Sequence, residues 1–308
     1  MADWYYKVSG AWKTVNEAFY KSSGSWKEIQ EGYIKVGGAW KQFYTAFVAT
    51  AFATATSNIS VTVPDGANAI HVQAAVGGGS SGVGGAEYDK SGGESSGAAG
   101  SSGGYVSDKV FSVSEGETLT LTVGAGGTGG FIGSHPNYGA NDGDDTVLSG
   151  SSTGSIFSLT GGTGGSSSGG TSPNGSVRSN FPSVGGTATV SATPVTTGTF
   201  REANGATVTF ATATTLNLGP TGTFNESGSG VAGQNLGNCS GDNCQITGGN
   251  GGTSYDGAIA GGTGSAAGAG KAGSGSRGSG GGGGGAQPQG GGGDGGIGEI
   301  KYRFLRIT

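Results

Sequence analysis

"VTVPDGANAIHVQAAVGGGSSG", residues 61–82, carries the plan of the chain. An alternating run at 59–63 meets Pro64-Asp65-Gly66. Pro presets φ for a turn and Gly accepts the positive φ that closes it. A second run, 69–76, is rich in Ile, Val and Ala and reads as a buried strand. It then passes without a break into glycine. The same order returns in "VFSVSEGETLTLTVGAGGTGG" (110–130), with a turn at Glu115-Gly116 and a strand over 118–123. It returns again in "DDTVLSGSSTGSIFSLTGGTGG" (144–165). The last segment reverses it: glycine runs lead into a strand over 297–307. Strand, turn, strand and glycine tract therefore predict an all-β body, sandwich-like in its pairing.

The glycines are the physical problem. There are 73 among 308 residues, whereas an average protein has about 7% Gly. Each costs roughly 0.5–1 kcal/mol in backbone entropy relative to Ala. That cost is tolerable where no side chain would fit, as when tracts pack against one another and share backbone hydrogen bonds. Collagen is excluded, since there is no strict triplet and only 7 Pro.

In front of this body stands a different texture. "YYKVSGAWK" (5–13), "FYKSSGSWK" (19–27) and "YIKVGGAWK" (33–41) recur every 14 residues. Ser9-Gly10, Ser23-Gly24 and Gly37-Gly38 lie between short aromatic and aliphatic runs, the signature of two-residue hairpin turns. The expected registers pair Val8 with Ala11 and set Lys7 opposite Trp12, Lys21 opposite Trp26 and Lys35 opposite Trp40. Residues 1–47 thus predict a tandem β-hairpin meander. All four Trp fall here, and Trp4, Tyr6, Trp12, Tyr20, Trp26, Tyr33 and Trp40 form a candidate assembly interface, because Trp and Tyr dominate such cores. A sheet this short needs a covering partner.

Charge divides the same way. Residues 1–47 hold six Lys against four acids, net +2; the remainder holds nine Lys and Arg against sixteen acids, net −7. No basic run is strong enough for nucleic acid. No apolar run approaches the length of a membrane span. The opening "MADWYYKVSG" lacks a basic start and an apolar core, so export by the standard signal route is not expected.

Residues 173–247 have fewer glycines and more Thr, Val and Phe. Alternation over 188–193, 206–212 and 215–218 predicts an inserted β-subdomain between the glycine-rich stretches 48–172 and 248–308. Phe200, Arg201, Phe210, Phe224 and Asn225 are the candidate recognition residues, aromatic faces and polar groups suited to a glycan or a protein loop, with a core role for the Phe side chains as the alternative. Cys239 and Cys244 in "CSGDNC" are either free thiols or a small loop staple. "NDGDDT" gathers Asp142, Asp144 and Asp145, yet the spacing is not that of a calcium loop, and a solvated turn is the simpler reading. His71 and His135 lack a nucleophile or a ligand set near them, so neither catalysis nor a cofactor is expected.

The order "VTVPDGANAIHVQAAVGGG", "VFSVSEGETLTLTVGAGG", "LTGGTGG" and terminal "GDGGIGEIKYRF" resembles the glycine-rich domain of bacteriophage tail fibres and tail-associated virion proteins. The likeness covers 55–170 and 248–308, and short Trp-Lys repeats like the one in front also occur in phage structural proteins. The resemblance implies a structural virion protein, assembled in the host cytoplasm. It would be anchored to other virion proteins by its N-terminus, self-associating as a homotrimer, and would touch a host glycan or outer-membrane protein. A decoration protein without receptor binding is the alternative, and an ice-binding protein a remote one. Some phage adhesins of this kind pack their tracts as polyglycine II helices, and 280–285 and 290–293 are the candidates here.

Overall fold

The computed structural model describes residues 5–8, 11–14, 18–29, 31–82, 99–129, 137–164, 166–168, 185–211, 278 and 292–308. Among them there is no α-helix.

Three antiparallel hairpins come first. β1 (Tyr5–Val8) pairs β2 (Ala11–Thr14), β3 (Phe19–Ser22) pairs β4 (Ser25–Glu28), and β5 (Glu31–Val36) pairs β6 (Ala39–Thr45). Each is a two-stranded sheet of its own. The registers are Lys7 with Trp12, Lys21 with Trp26 and Lys35 with Trp40, as the repeat predicts. Ser23 and Gly24 have φ of 50° and 85°, and Gly37 and Gly38 have 60° and 86°. Two consecutive positive φ values make the primed turn that matches strand twist. Ser9-Gly10 lies outside the described residues.

The body follows. Its strands are β7 (Ala53–Ala55), β8 (Ile59–Thr62), β9 (Ala69–Val76), β10 (Tyr105–Ser112), β11 (Thr118–Thr122), β12 (Asn137–Gly139), β13 (Thr146–Gly150), β14 (Gly154–Leu159), β15 (Ser166–Ser168), β16 (Ala188–Val190), β17 (Thr197–Arg201), β18 (Thr207–Ala211) and β19 (Glu299–Leu305). One sheet runs β10-β9-β19-β7, the other β16-β14-β13-β11-β8. Ile70, Val72, Phe111, Ile300, Tyr302 and Phe304 of the first meet Leu119, Leu121, Leu148, Ile156, Phe157 and Leu159 of the second in one core. Phe111 and Phe157 touch across it, ring centroids 6.1 Å apart. Each such side chain contributes about 1.5–3 kcal/mol by leaving water. The result is a sandwich of two antiparallel sheets whose closing strand is the last in sequence.

Among the described residues, seven segments leave or enter one end of this sandwich. Residues 77–82, 124–129 and 160–164 follow β9, β11 and β14, while 99–104, 140–145, 185–187 and 292–298 precede β10, β13, β16 and β19. They form a bundle with a regular hydrogen-bond code. The N–H groups of Gly77, Gly78 and Gly79 donate to Gly104, Asp144 and Gly296, at 2.9, 3.0 and 2.8 Å. Those of Ser80, Ser81 and Gly82 donate to Ser101, Asn141 and Gly293, at 2.9, 3.0 and 2.9 Å. The same three neighbours recur every third residue, and each partner number falls by three. Segment 77–82 is therefore an extended helix of three residues per turn, antiparallel to three neighbours. Such a helix has no internal hydrogen bonds and must bond outward. Gly162 and Gly127 return the pattern by donating to Gly78 and Gly79. This is polyglycine II packing. Of the sequence-predicted tracts, 292–293 lies in it, and 280–285 lies outside the described residues.

Space explains the glycines here. A Cβ on Gly78, Gly103, Gly143 or Gly161 would overlap a backbone carbonyl of the adjacent segment. Gly116 and Gly154 are the other kind: open space, but φ of 75° and 76° at a turn.

The stretch 173–247, read from sequence as an inserted subdomain, is joined to the sandwich wherever it is described. β16 is the edge strand beside β14. The hairpin β17–β18 buries Phe200 against Ala49, Ala69, Val110 and Leu305. Over 185–211 these Thr- and Val-rich strands extend and cover a sheet of the body. The run 215–218 lies outside the described residues.

The opposite end of the sandwich is tied by Asn68. Its amide nitrogen donates to Ile307 O at 2.9 Å and its oxygen accepts from Ile307 N at 2.7 Å. Asn68→Ala strands both backbone groups, and a loss of about 1–3 kcal/mol is expected in urea unfolding.

Candidate attachment face and the joint behind it

Opposed residues in an antiparallel pair share a face. In the second hairpin, Phe19, Lys21 and Trp26 therefore lie on one side; in the third, Tyr33, Lys35 and Trp40 do. Trp26 and Trp40 are each 69% exposed. Lys21 Nζ sits 5.9 Å from the Trp26 ring centre, a cation–π contact. The other side carries Tyr20 in the second hairpin and Ile34 and Val36 in the third, also exposed. The predicted interface residues thus divide: Trp26, Tyr33 and Trp40 share equivalent faces, while Tyr20 lies on the reverse. Phe19 belongs with the Trp face and was missed. Its signal was the 14-residue step, which matches Phe19, not Tyr20, to Tyr33. Trp12 and Tyr6 hold their registers in β2 and β1, and Trp4 lies outside the described residues. Tyr33 Oη donates to Glu31 Oε2 at 2.6 Å, which pushes the phenol pKa up.

Behind the hairpins, residues 46–52 are stitched onto the sandwich. Ala49 N donates to Arg201 O at 2.6 Å and Thr50 N to Phe304 O at 3.1 Å. Phe47 packs on the turn at Gly66. Phe52 lies over Arg303, 4.5 Å from guanidinium to ring centre, and edge-on to His71. Arg303 is also 5.1 Å from the Phe200 ring. Its Nε donates to His71 Nδ1 at 3.1 Å, and its Nη1 donates to both oxygens of Glu202 at 3.0 Å. With Nδ1 accepting, His71 carries its proton on Nε2 and donates it to Asp108 Oδ1 at 2.7 Å. The joint thus links β9, β10, β19, the residue after β17 and the segment arriving from the hairpins.

Asp108 is held at φ 52°, unusual for a residue other than Gly. The hydrogen bond from His71 lowers its pKa. A lowered carboxylate pKa stabilises the fold above the unfolded value of about 3.9, and the gain is lost as pH falls through the folded value. Asp108→Asn should therefore be less stable than the parent at pH 7, with the difference closing below about pH 4. A gap that persists at pH 2.5 would show that the carboxylate charge is not its source. Beside it, burial lowers the pKa of Lys109.

The candidate recognition residues are not gathered on an open surface. Phe200 is buried and Phe210 lies beside it, ring centroids 6.1 Å apart, in a second small core. Arg201 is half-buried. Phe224, Asn225, Cys239, Cys244 and His135 lie outside the described residues. Asp142, Asp144 and Asp145 run along a bundle segment instead of around a turn. Asp142 Oδ1 accepts from Gly164 N at 2.6 Å and Asp145 Oδ1 from Gly161 N at 3.1 Å. Their side chains supply acceptors where the neighbouring segment has amides to satisfy. Among the described residues there is no group of three His, Cys, Asp or Glu that could hold a metal ion.

No curated protein matches the chain. A family model described as a glycine-rich domain matches residues 53–305, which takes in the whole sandwich and the bundle. The chain belongs to this glycine-rich domain family.

Proposed function

We propose that the chain is a structural and adhesive virion protein of a bacteriophage, a tail fibre, fibre tip or appendage component. The hairpin module attaches it to the particle, and the glycine bundle is held outward to meet the host surface. The observation that carries this reading is the polarity of the sandwich. The segment from the hairpins joins beside Phe304, at the end of β19, and the bundle leaves from residues 292–298, at its start. A strand of seven residues separates the two by about 23 Å. Attachment and presentation thus occupy opposite ends of one rigid body. In sequence, 83–98 and 130–136 connect described segments of the bundle. Connecting segments on a rigid scaffold are where recognition residues concentrate.

The test uses purified chain as a competitor for adsorption of the particles that carry it. Full-length chain and a chain lacking 1–47 should both block adsorption, while only the full-length chain should load onto particles that lack it. If neither blocks and particles hold hundreds of copies, the chain is a decoration protein and the adhesive reading is wrong.

A further inference from the structure

The hairpin β17–β18 packs on the first sheet, and its two edges differ. Along the β17 edge, Thr199 N donates to Thr308 O at 3.2 Å, Thr308 N donates to Thr199 O at 3.1 Å, and Arg201 O accepts from Ala49 N at 2.6 Å. Thr199 and Arg201 therefore turn backbone groups away from β18. In an antiparallel pair, opposed residues either bond to each other or both point away, in alternation. Thr199 is opposite Thr209, Arg201 opposite Thr207 and Thr197 opposite Ala211. So Thr207, Thr209 and Ala211 turn their N–H and C=O groups outward along the far edge of β18. Among the described residues, nothing bonds to these groups.

An open edge is a template for another strand, and proteins blunt such edges with short strands, bulges, charges or proline. The other edges of the body are blunted. β7 and β16 have three residues each, and β8 leads into Pro64. β10 carries Asp108 at φ 52°, and its Val110 O accepts from Val195 N at 2.8 Å. β18 has no such device. From Gly205 to Ala211 the chain reads "GATVTFA", without charge or proline. Its Val208 and Phe210 side chains are half-buried at the margin of the second small core.

We propose that β18 pairs with β18 of a second copy of this chain, antiparallel and centred on Thr209. The outward groups fix the register. Thr209 faces Thr209 of the second copy, and Thr207 faces its Ala211, so every outward donor and acceptor of both chains is bonded. A slip of two residues leaves some of them unpaired, and a slip of one sets apolar side chains against the wrong face. In the centred register Val208 lies opposite Phe210 of the second copy, and threonine lies opposite threonine on the other face. Both kinds of pair are favourable. The two small cores then meet across the axis and cover the margins that each leaves half-exposed alone. An isologous contact of this kind closes with two chains. It is independent of how the N-terminal hairpins are used.

The experiment uses the full-length chain with Cys239→Ser and Cys244→Ser, so that an introduced thiol is the only one. Opposed residues in a hydrogen-bonded pair lie about 5.5 Å apart at Cα, within disulfide reach. Thr209→Cys should therefore oxidise to a linked dimer at least about tenfold faster than Thr207→Cys, which is exposed too but faces position 211. Thr209→Pro removes an outward N–H and leaves every bond to β17 in place. It should melt as a folded sandwich, yet weaken the dimer seen by sedimentation at least about tenfold, because two hydrogen bonds are lost per dimer. Thr209→Val keeps the donor and should pair like the parent. If Thr209→Pro does not fold, the two thiol variants decide alone. Linking no faster at 209 than at 207 overturns the proposal, as does a folded Thr209→Pro that associates like the parent. So does Thr209→Cys found linked, on particles, to a different protein instead of to itself. None of these results bears on attachment and presentation, which the adsorption test decides.

Discussion

Gly78→Ala is expected to collapse the glycine bundle, at a cost of about 3 kcal/mol or more. Gly78 lies in the central segment of the bundle. Its N–H donates to Asp144 O at 3.0 Å and its carbonyl accepts from Gly162 N at 2.8 Å. A methyl group there would occupy the position of Ala125 O. No side-chain rotation relieves this, because every group involved is backbone. The segments must separate, and separation breaks several hydrogen bonds whose groups are buried. Thr128→Ala is the control. It lies in a neighbouring segment with an exposed side chain whose hydroxyl accepts from Asn141 Nδ2 at 2.8 Å, and should cost less than about 1 kcal/mol. Gly116→Ala tests the other kind of glycine and should cost about 1 kcal/mol, through positive φ alone. The three-residue code adds a sharper form. One glycine inserted after Gly79 shifts Ser80, Ser81 and Gly82 off their partners, whereas three restore each donor to its own neighbour. Hydrogen exchange of the amides of 80–82 reads this directly. Equal protection in both insertions would show that the threefold code is incidental.

This bears on what could be read in advance. The strands and turns were legible because their cues are local: Pro64-Asp65-Gly66, Glu115-Gly116, and the alternation around each. The hairpin registers were legible because two residues at a turn fix every pair behind them. The need for glycine to pack on glycine was also legible; that short, mixed tracts would serve was not. The described bundle is built from "GGGSSG", "AGSSGG", "GAGGTG" and "ANDGDD". What matters is glycine wherever a segment faces another. In 124–129 the side chains of Ala125 and Thr128 stand three apart, on the outside. A period of three was the available signal. It was also the signal in "NDGDD", which reads as a turn only if helices of this type are not considered. The joint was not legible at all. Phe52, His71, Asp108, Glu202 and Arg303 are scattered over some 250 residues, and no local pattern marks residues that meet through three separate strand pairings.

That joint predicts the second large effect. Arg303→Ala should cost about 3 kcal/mol in urea unfolding. The guanidinium is mostly buried, 12% exposed, and Glu202 is 30% exposed. Removing the arginine leaves Glu202 without its two hydrogen bonds, takes the donor from His71 Nδ1, and uncovers facing surfaces of Phe52 and Phe200. Arg303→Lys should recover little, because an ammonium cannot reproduce separate donors to Glu202 and His71 Nδ1 on one flat group, nor stack on two rings. Glu202→Gln keeps one acceptor and should cost less, about 1–2 kcal/mol. A double-mutant cycle between the two positions should return a coupling of about 1–2 kcal/mol, above the range of exposed pairs. Coupling below about 0.5 kcal/mol would mean that water serves both groups equally well, and that the joint is held by Phe52 and its ring contacts alone. The functional consequence follows from position. Phe52 and Thr50 belong to the segment that carries the hairpins, and Glu202 and Arg303 fasten that segment to the strand from which the bundle grows. A chain with Arg303→Ala should still fold its sandwich below its melting point. Yet the amides of 49–52 should exchange faster than in the parent, since the load path from anchor to bundle runs through them.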